Sequence, residues 1–297
     1  MPNSSLSELN STANVNYYSN IHHHFDLDSH NIFANSQKIA IKQLLGVIQS
    51  TAQILPDNNL GVVVDVGCGT GNMLLMLNSY FTCKKFFGVD LSSEMLNIAK
   101  SKISNLITIC DSAANIAQHF PLPIAGLLIS HFIFAYIDYK NLLVQFSKIT
   151  KPGSLLSICS TTTNTFANTK NDFIKNLLPK MRLIKFFLGI DGQDAINIYS
   201  KFMPQNIHDL QIEIEQNGYK IINAENLHFT ITLKTWREAW SFFHDGSWFV
   251  GVMKQYKVNK FKMFCIFNFL KIAGLFKNSN GIFKDDMEIV VITAIRV

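Results

Sequence analysis

The chain has 297 residues, of which 48% are hydrophobic and 16% charged, with a formal net charge of +5. That apolar content supports a sizeable core and excludes an intrinsically disordered chain, and the length fits one domain of ordinary size carrying an insertion. The modest positive charge, without a dense basic run or interleaved aromatic motif, gives no sign of nucleic-acid binding but suits an acidic partner.

Five cysteines, Cys68, Cys83, Cys110, Cys159 and Cys265, are odd in number and show no C-x-x-C spacing. They predict neither a disulfide framework nor a zinc site and fit a reducing cytosol. The opening residues lack the basic region, apolar core and cleavage site of a secretory signal, so a cytoplasmic location is expected. The most apolar stretch, Phe261 to Phe276, is broken by Lys262, Asn268 and Lys271 and is too short to cross a bilayer. It reads as a buried or partner-facing helix.

Residues 1–20, rich in Ser and Asn, predict a flexible arm. His22, His23 and His24 follow; adjacent side chains rarely converge on a metal, so a solvated or locally packed cluster is expected and no metal site is assigned. From Ile32 to Ile54 the spacing of Ile41, Leu44, Leu45 and Ile48 predicts a covering helix, with Pro56 as its stop. The chain then alternates strand-like and helical segments to about Ser160, the pattern of parallel βαβ units. GVVVDVG, KFFGVD, LITICD, AGLLIS and GSLLSIC read as five strands, and Met95, Ala99 and Ile103 share one face of an intervening helix.

Residues 161–203 break this rhythm, with helical stretches around Asp172–Leu178 and Met181–Leu188 separated by Pro179, and predict a helical cap insertion. Pro204 opens a helix with Ile207, Leu210 and Ile214 on one face and Gly218 at its end. YKIINAENLHFTIT reads as a strand, Trp236, Trp240 and Phe243 as a helix face, and EIVVITAIRV as the last strand. The expected architecture is a doubly wound, mostly parallel seven-stranded α/β sheet: residues 21–160 form the Rossmann-like core with its covering helix, and 204–297 complete the sheet.

The sharpest motif is VVVDVGCGTGNM, residues 62–73, where a β-branched run passes through an acidic residue into three glycines. A nucleoside that approaches the backbone closely needs side chains absent at Gly67, Gly69 and Gly71, with Cys68 inside the same loop. Asp65 falls at the carboxyl end of the strand, on the side where open α/β sheets bind ligands. Asp90 ends the second strand 25 residues later, where a βαβ unit places a carboxylate against a ribose. A tight turn without a ligand and a capping or solvated carboxylate are the competing readings.

The run D-V-G-C-G-T-G resembles the signature of class I S-adenosylmethionine methyltransferases rather than a dinucleotide fingerprint. The resemblance implies S-adenosylmethionine as cofactor, with Asp65 toward its amino group, Leu91 and Met95 along the adenine, Asp111 and Ser112 at the adenine amino group, and Ser130 with His131 where cofactor and acceptor meet. For His131 a structural role stands beside the substrate contact.

More widely, HHHFDLDSHNIFANSQKIAIKQLL, STTTNTFANTKNDF, TITLKTWREAWSFFHDG and DDMEIVVITAIRV resemble segments of the malonyl-acyl-carrier-protein O-methyltransferase family of biotin synthesis (BioC). That resemblance implies carboxyl O-methylation of a malonyl thioester on acyl carrier protein. A carboxylate with a pKa near ~4 is ionised at neutral pH and needs no general base, so catalysis would rest on positioning in a water-excluding pocket. No catalytic residue is assigned.

A guanidinium would grip the substrate carboxylate; Arg182 in the cap and Arg237 beside the late helix are the candidates, Arg296 lying in the last strand. Lys170, Lys175, Lys180, Arg182 and Lys185 would steer an acidic carrier, or simply form a solvated face. Trp236, Trp240, Phe242 and Phe243 fit core packing better than a substrate channel. Another small acid or a quinone-like lipid precursor remains open as acceptor, as does a protein that binds the cofactor without turnover.

Overall fold

The computed structural model describes residues 32–50, 60–81, 83, 85–124, 126–172, 202–245, 259, 261–265, 268 and 283–297. The predicted arm, the histidines at 22–24, most of the predicted cap with Arg182, and much of the Phe-rich stretch lie outside them.

The chain opens with helix α1 (Ile32–Ser50) and continues through β1 (Val62–Val66), α2 (Asn72–Asn78), β2 (Lys85–Asp90), α3 (Ser93–Lys102) and β3 (Leu106–Cys110). A 3-10 turn, Ala113–Asn115, leads into the short α4 (Ile116–His119), followed by β4 (Gly126–His131), α5 (Tyr139–Ile149), β5 (Leu155–Thr161) and α6 (Ala167–Asp172). Beyond the next described residues come α7 (Ile207–Gln216), β6 (Tyr219–Leu233), α8 (Trp236–Trp240) and β7 (Phe283–Arg296).

The strands form one seven-stranded sheet in the order β3-β2-β1-β4-β5-β7-β6. β1 pairs in parallel with β2 and β4, and β7 runs antiparallel to β5 and β6. The expected doubly wound, mostly parallel sheet is the observed one. Its central strands are apolar along their length because they are covered on both sides: every residue of β5 is buried, as are all but the first of β1 and β4.

Two cores result. On one face Ile41, Leu44 and Ile48 of α1 pack with Leu74 and Leu77 of α2 and Leu96 and Ala99 of α3. On the other, Leu142, Phe146 and Ile149 of α5 join Leu210 and Ile214 of α7 over Leu128, Leu156 and Ile292. Gln43 fixes α1 to the sheet: its Nε2 donates to Glu225 Oε1 at 3.0 Å, and its Oε1 accepts from Thr293 Oγ1 at 2.9 Å.

Several boundaries differ from the sequence expectation. α1 is described as far as Ser50, and the rest of its expected course to Ile54 lies outside the described residues. α7 starts at Ile207 rather than at Pro204, because Asn206 supplies the cap: its side-chain oxygen accepts from Asp209 N at 2.9 Å. Phe243 lies past α8 in a π-helical turn, Ser241–Asp245, buried against the rings of Phe166 and Phe283. β7 begins five residues before the predicted EIVVITAIRV, at Phe283. Its first half carries Asp285 and Glu288, whose buried carboxylates are occupied: Thr162 Oγ1 donates to Glu288 at 2.5 Å, and Asn168 Nδ2 to Asp285 at 3.0 Å.

Candidate active site

The strand order reverses between β1 and β4, and the carboxyl ends of strands flanking such a switch open into a crevice. A cavity of about 420 Å³ lies there, within the usual size of small-molecule sites. Its floor is the loop after β1. Gly67 takes φ 81, and a Cβ on it would sit 2.9 Å from Ile133 Cδ1, so only glycine fits. Gly71, at φ 78, caps α2, where a Cβ would meet the Ala99 methyl at 2.9 Å.

Asp65, at the end of β1, is 2% exposed. Burial, reinforced by the nearby Asp90 charge, raises its pKa to about 8, and among the described residues no hydrogen bond to its carboxylate counters this. Asp90 ends β2 and is held in place: Oδ2 accepts from Gly69 N and Oδ1 from Ser92 N, both at 2.9 Å. Burial raises its pKa too, against the lowering effect of those backbone donors. Cys68 is buried beside both carboxylates, and its thiol is pushed well up, chiefly by burial; it is not a thiolate nucleophile.

Asp111, after β3, accepts from Ser112 N at 2.6 Å and Asn115 Nδ2 at 3.0 Å on Oδ1, and pairs with His119 Nε2 at 2.7 Å through Oδ2. Its partial burial acts upward, but these partners outweigh it and its pKa is lowered. His131 ends β4 with Nε2 3.0 Å from Ser157 Oγ, while its Nδ1 is buried without a hydrogen-bond partner. Burial drives its pKa down to about 3, so the ring is neutral.

The cavity wall thus brings together Asp65, Gly67, Cys68, Gly69, Asp90, Leu91, Met95, Asp111, Ser112 and His131. It does not include Gly71, which acts at the helix cap, or Ser130, whose hydroxyl is fully buried with no partner. Arg237 is exposed on α8 and away from the wall.

The sequence reading missed a second group that lines the cavity: Phe33 and Gln37 of α1, Phe132 and Tyr136 after β4, Thr161 and Met287. Phe132 has φ 61, uncommon for a bulky residue, and its ring meets Phe33 edge-on at 4.6 Å. The aromatic spacing in HFIFAY was the available signal, but only tertiary packing brings α1 and β7 to it.

Among the described residues the wall has no lysine or arginine, and no group of histidine, cysteine and carboxylate side chains is placed to hold a metal. A buried carboxylate without a donor calls for a cation, and a fixed second carboxylate retains acceptor capacity for hydroxyls. This donor and acceptor set fits S-adenosylmethionine, which offers an ammonium, a ribose and an adenine.

Residues 63–153 match a family described as a methyltransferase domain. The chain is 24% identical over 188 residues to the ubiquinone/menaquinone biosynthesis C-methyltransferase UbiE of Campylobacter jejuni, covering 57% of this chain and 75% of that protein. It is 35% identical over 78 residues to a malonyl-[acyl-carrier protein] O-methyltransferase of Marinomonas, 26% of each chain. A crystal structure of a Bacillus halodurans protein, solved as a methyltransferase candidate, superposes with a TM-score of 0.51 at 15% identity, covering 84% of this chain and 98% of that one. The fold and the domain match define an S-adenosylmethionine-dependent methyltransferase of class I.

Proposed function

We propose that this enzyme methylates an acceptor that is already nucleophilic at neutral pH, a carboxylate, and that the acceptor is a malonyl thioester carried on acyl carrier protein. The observation behind this reading is the absence, among the described wall residues, of a group suited to act as general base. His131 titrates at about 3, and Asp65 and Asp90 stand beside the glycine loop. S-adenosylmethionine supplies an electrophilic sulfonium methyl when bound.

In this reading Asp65 pairs with the cofactor's amino group, Asp90 receives the two ribose hydroxyls, Leu91 and Met95 flank the adenine, and Asp111 with Ser112 meets its amino group. The glycine loop lets the backbone pass close. Phe33, Phe132 and Tyr136 exclude water on the acceptor side, so an oxygen aligned with the methyl reacts through positioning alone. Arg182, outside the described residues, is the proposed grip on the carboxylate, and the cationic run from Lys175 to Lys185 the proposed docking surface for an acidic carrier, Lys170 being half-buried with its ammonium donating to the Thr163 carbonyl. The proposed domain plan keeps residues 161–203 as the cap that bears both.

The likeness to the Marinomonas enzyme over 78 residues supports this acceptor. A second reading, a quinone-like lipid precursor, is favoured by the aromatic, cation-free wall among the described residues and by the longer likeness to UbiE. Intact-protein mass spectrometry after incubation with S-adenosylmethionine separates them. A gain of one methyl on malonyl-acyl carrier protein supports the first, and methylation of a reduced quinone with none on the carrier replaces it by the second.

A further inference from the structure

Asp111 is the most accessible of the three strand-end carboxylates, with its side chain 30% exposed. A carboxylate has about four acceptor directions. On Oδ1 both are taken, by Ser112 N and Asn115 Nδ2. On Oδ2, among the described residues, one is taken by His119 Nε2 at 2.7 Å, which leaves one for a ligand. The loop between the two residues is not free to drift: Ala113, Ile116 and Phe120 are buried in the core, so they hold His119 against the carboxylate, outside the cavity lining.

We infer that His119 is a positioning residue for cofactor recognition: by holding Oδ2 of Asp111 it aims the last acceptor direction of that carboxylate at the adenine amino group. The inference rests on the proposed adenine contact of Asp111. Capping the loop needs only the two donors on Oδ1, so a bond on Oδ2 has a separate consequence. Without it Oδ2 of a partly exposed carboxylate keeps two directions open to water, and the one toward the adenine is no longer singled out.

The test is calorimetric binding of S-adenosylhomocysteine and of S-inosylhomocysteine, which carries a carbonyl oxygen in place of the adenine amino group. His119→Ala weakens S-adenosylhomocysteine about tenfold, the usual scale of one hydrogen bond to a charged group, and leaves the inosyl analogue nearly unaffected. His119→Gln, whose amide can donate, restores most of the loss. Asp111→Asn abolishes the preference between the two ligands, and adding His119→Ala to it costs nothing more.

Equal weakening of both ligands by His119→Ala, or its full effect persisting in the Asp111→Asn background, overturns the inference. If Asp111→Asn leaves S-adenosylhomocysteine binding intact, the adenine contact itself fails and His119 loses its role with it. If Asp111→Asn weakens binding while His119→Ala does not, the adenine contact stands and the positioning role alone is lost.

Discussion

Asp65 combines two properties that pull against each other, burial and a charge that the proposed cofactor contact needs. Its folded pKa of about 8 lies above the ordinary carboxylate value, so the stability it contributes is full at acid pH and is lost as pH rises through about 8. Asp65→Asn removes that dependence: the unliganded variant should melt higher than wild type at pH 8.5, while its affinity for S-adenosylhomocysteine falls about a hundredfold or more through loss of a buried charge pair. A melting temperature equal to wild type at that pH counts against the assignment. Binding should also expel close to one proton at pH 7, measured by calorimetry in buffers of different ionisation enthalpy. His131 has the opposite sign. Its folded value of about 3 lies below the ordinary one, so its contribution is present above about pH 6.5 and is lost on acidification toward pH 3.

Elements carry the next set of consequences. The loop after β1 tolerates no Cβ at Gly67, so Gly67→Ala must move Ile133 or leave its φ of 81. A strain of about 1–3 kcal/mol is expected, read as at least a tenfold loss of S-adenosylhomocysteine affinity. Next to Met287 of the cavity wall, Glu288 of β7 binds the segment after β5: Thr162 and Asn164 donate to its carboxylate, and Thr165 Oγ1 to its backbone carbonyl. Glu288→Ala leaves the fully buried Thr162 hydroxyl without its acceptor, while the exposed Asn164 amide turns to water, and denaturant unfolding should show a loss of about 2 kcal/mol. An unchanged midpoint would mean that water replaces the carboxylate without cost. This pairing also explains the strand start that the sequence hid. The run Lys284–Glu288 lacks the look of a buried strand; it pairs along β6 with Lys284 and Asp286 exposed and Asp285, Met287 and Glu288 buried, and donors from a distant segment satisfy the buried carboxylates.

For the whole molecule, a ligand that binds only the folded state stabilises by mass action. S-adenosylhomocysteine at a hundred times its Kd should raise unfolding free energy by ~2.7 kcal/mol, and Asp65→Asn should show no such rise at the same concentration. The net charge of +5 gives a second whole-molecule test. If the acceptor arrives on an acidic carrier, kcat/KM should fall as ionic strength rises, whereas a small neutral acceptor should show little change. Among the described residues no helix is long and apolar enough to cross a membrane.

Much of the core was legible because its signals are local. β-branched runs repeated between amphipathic helices define parallel strands, and a glycine loop flanked by Asp65 and Asp90 at strand ends can be located by counting. The second group of cavity-lining residues was not legible in this way. Phe33, Thr161 and Met287 are separated by more than a hundred residues of chain at each step and meet only through the packing of α1 and β7 on the sheet. The partner of Asp111 was equally hidden, since an exposed histidine eight residues away has no periodic signature. Sequence alone determined the fold and the glycine loop, because both rest on patterns within a few tens of residues. The tertiary structure decided the aromatic part of the cavity wall and the hydrogen bonds that hold Asp90 and Asp111, because those contacts join residues with no fixed relation along the chain.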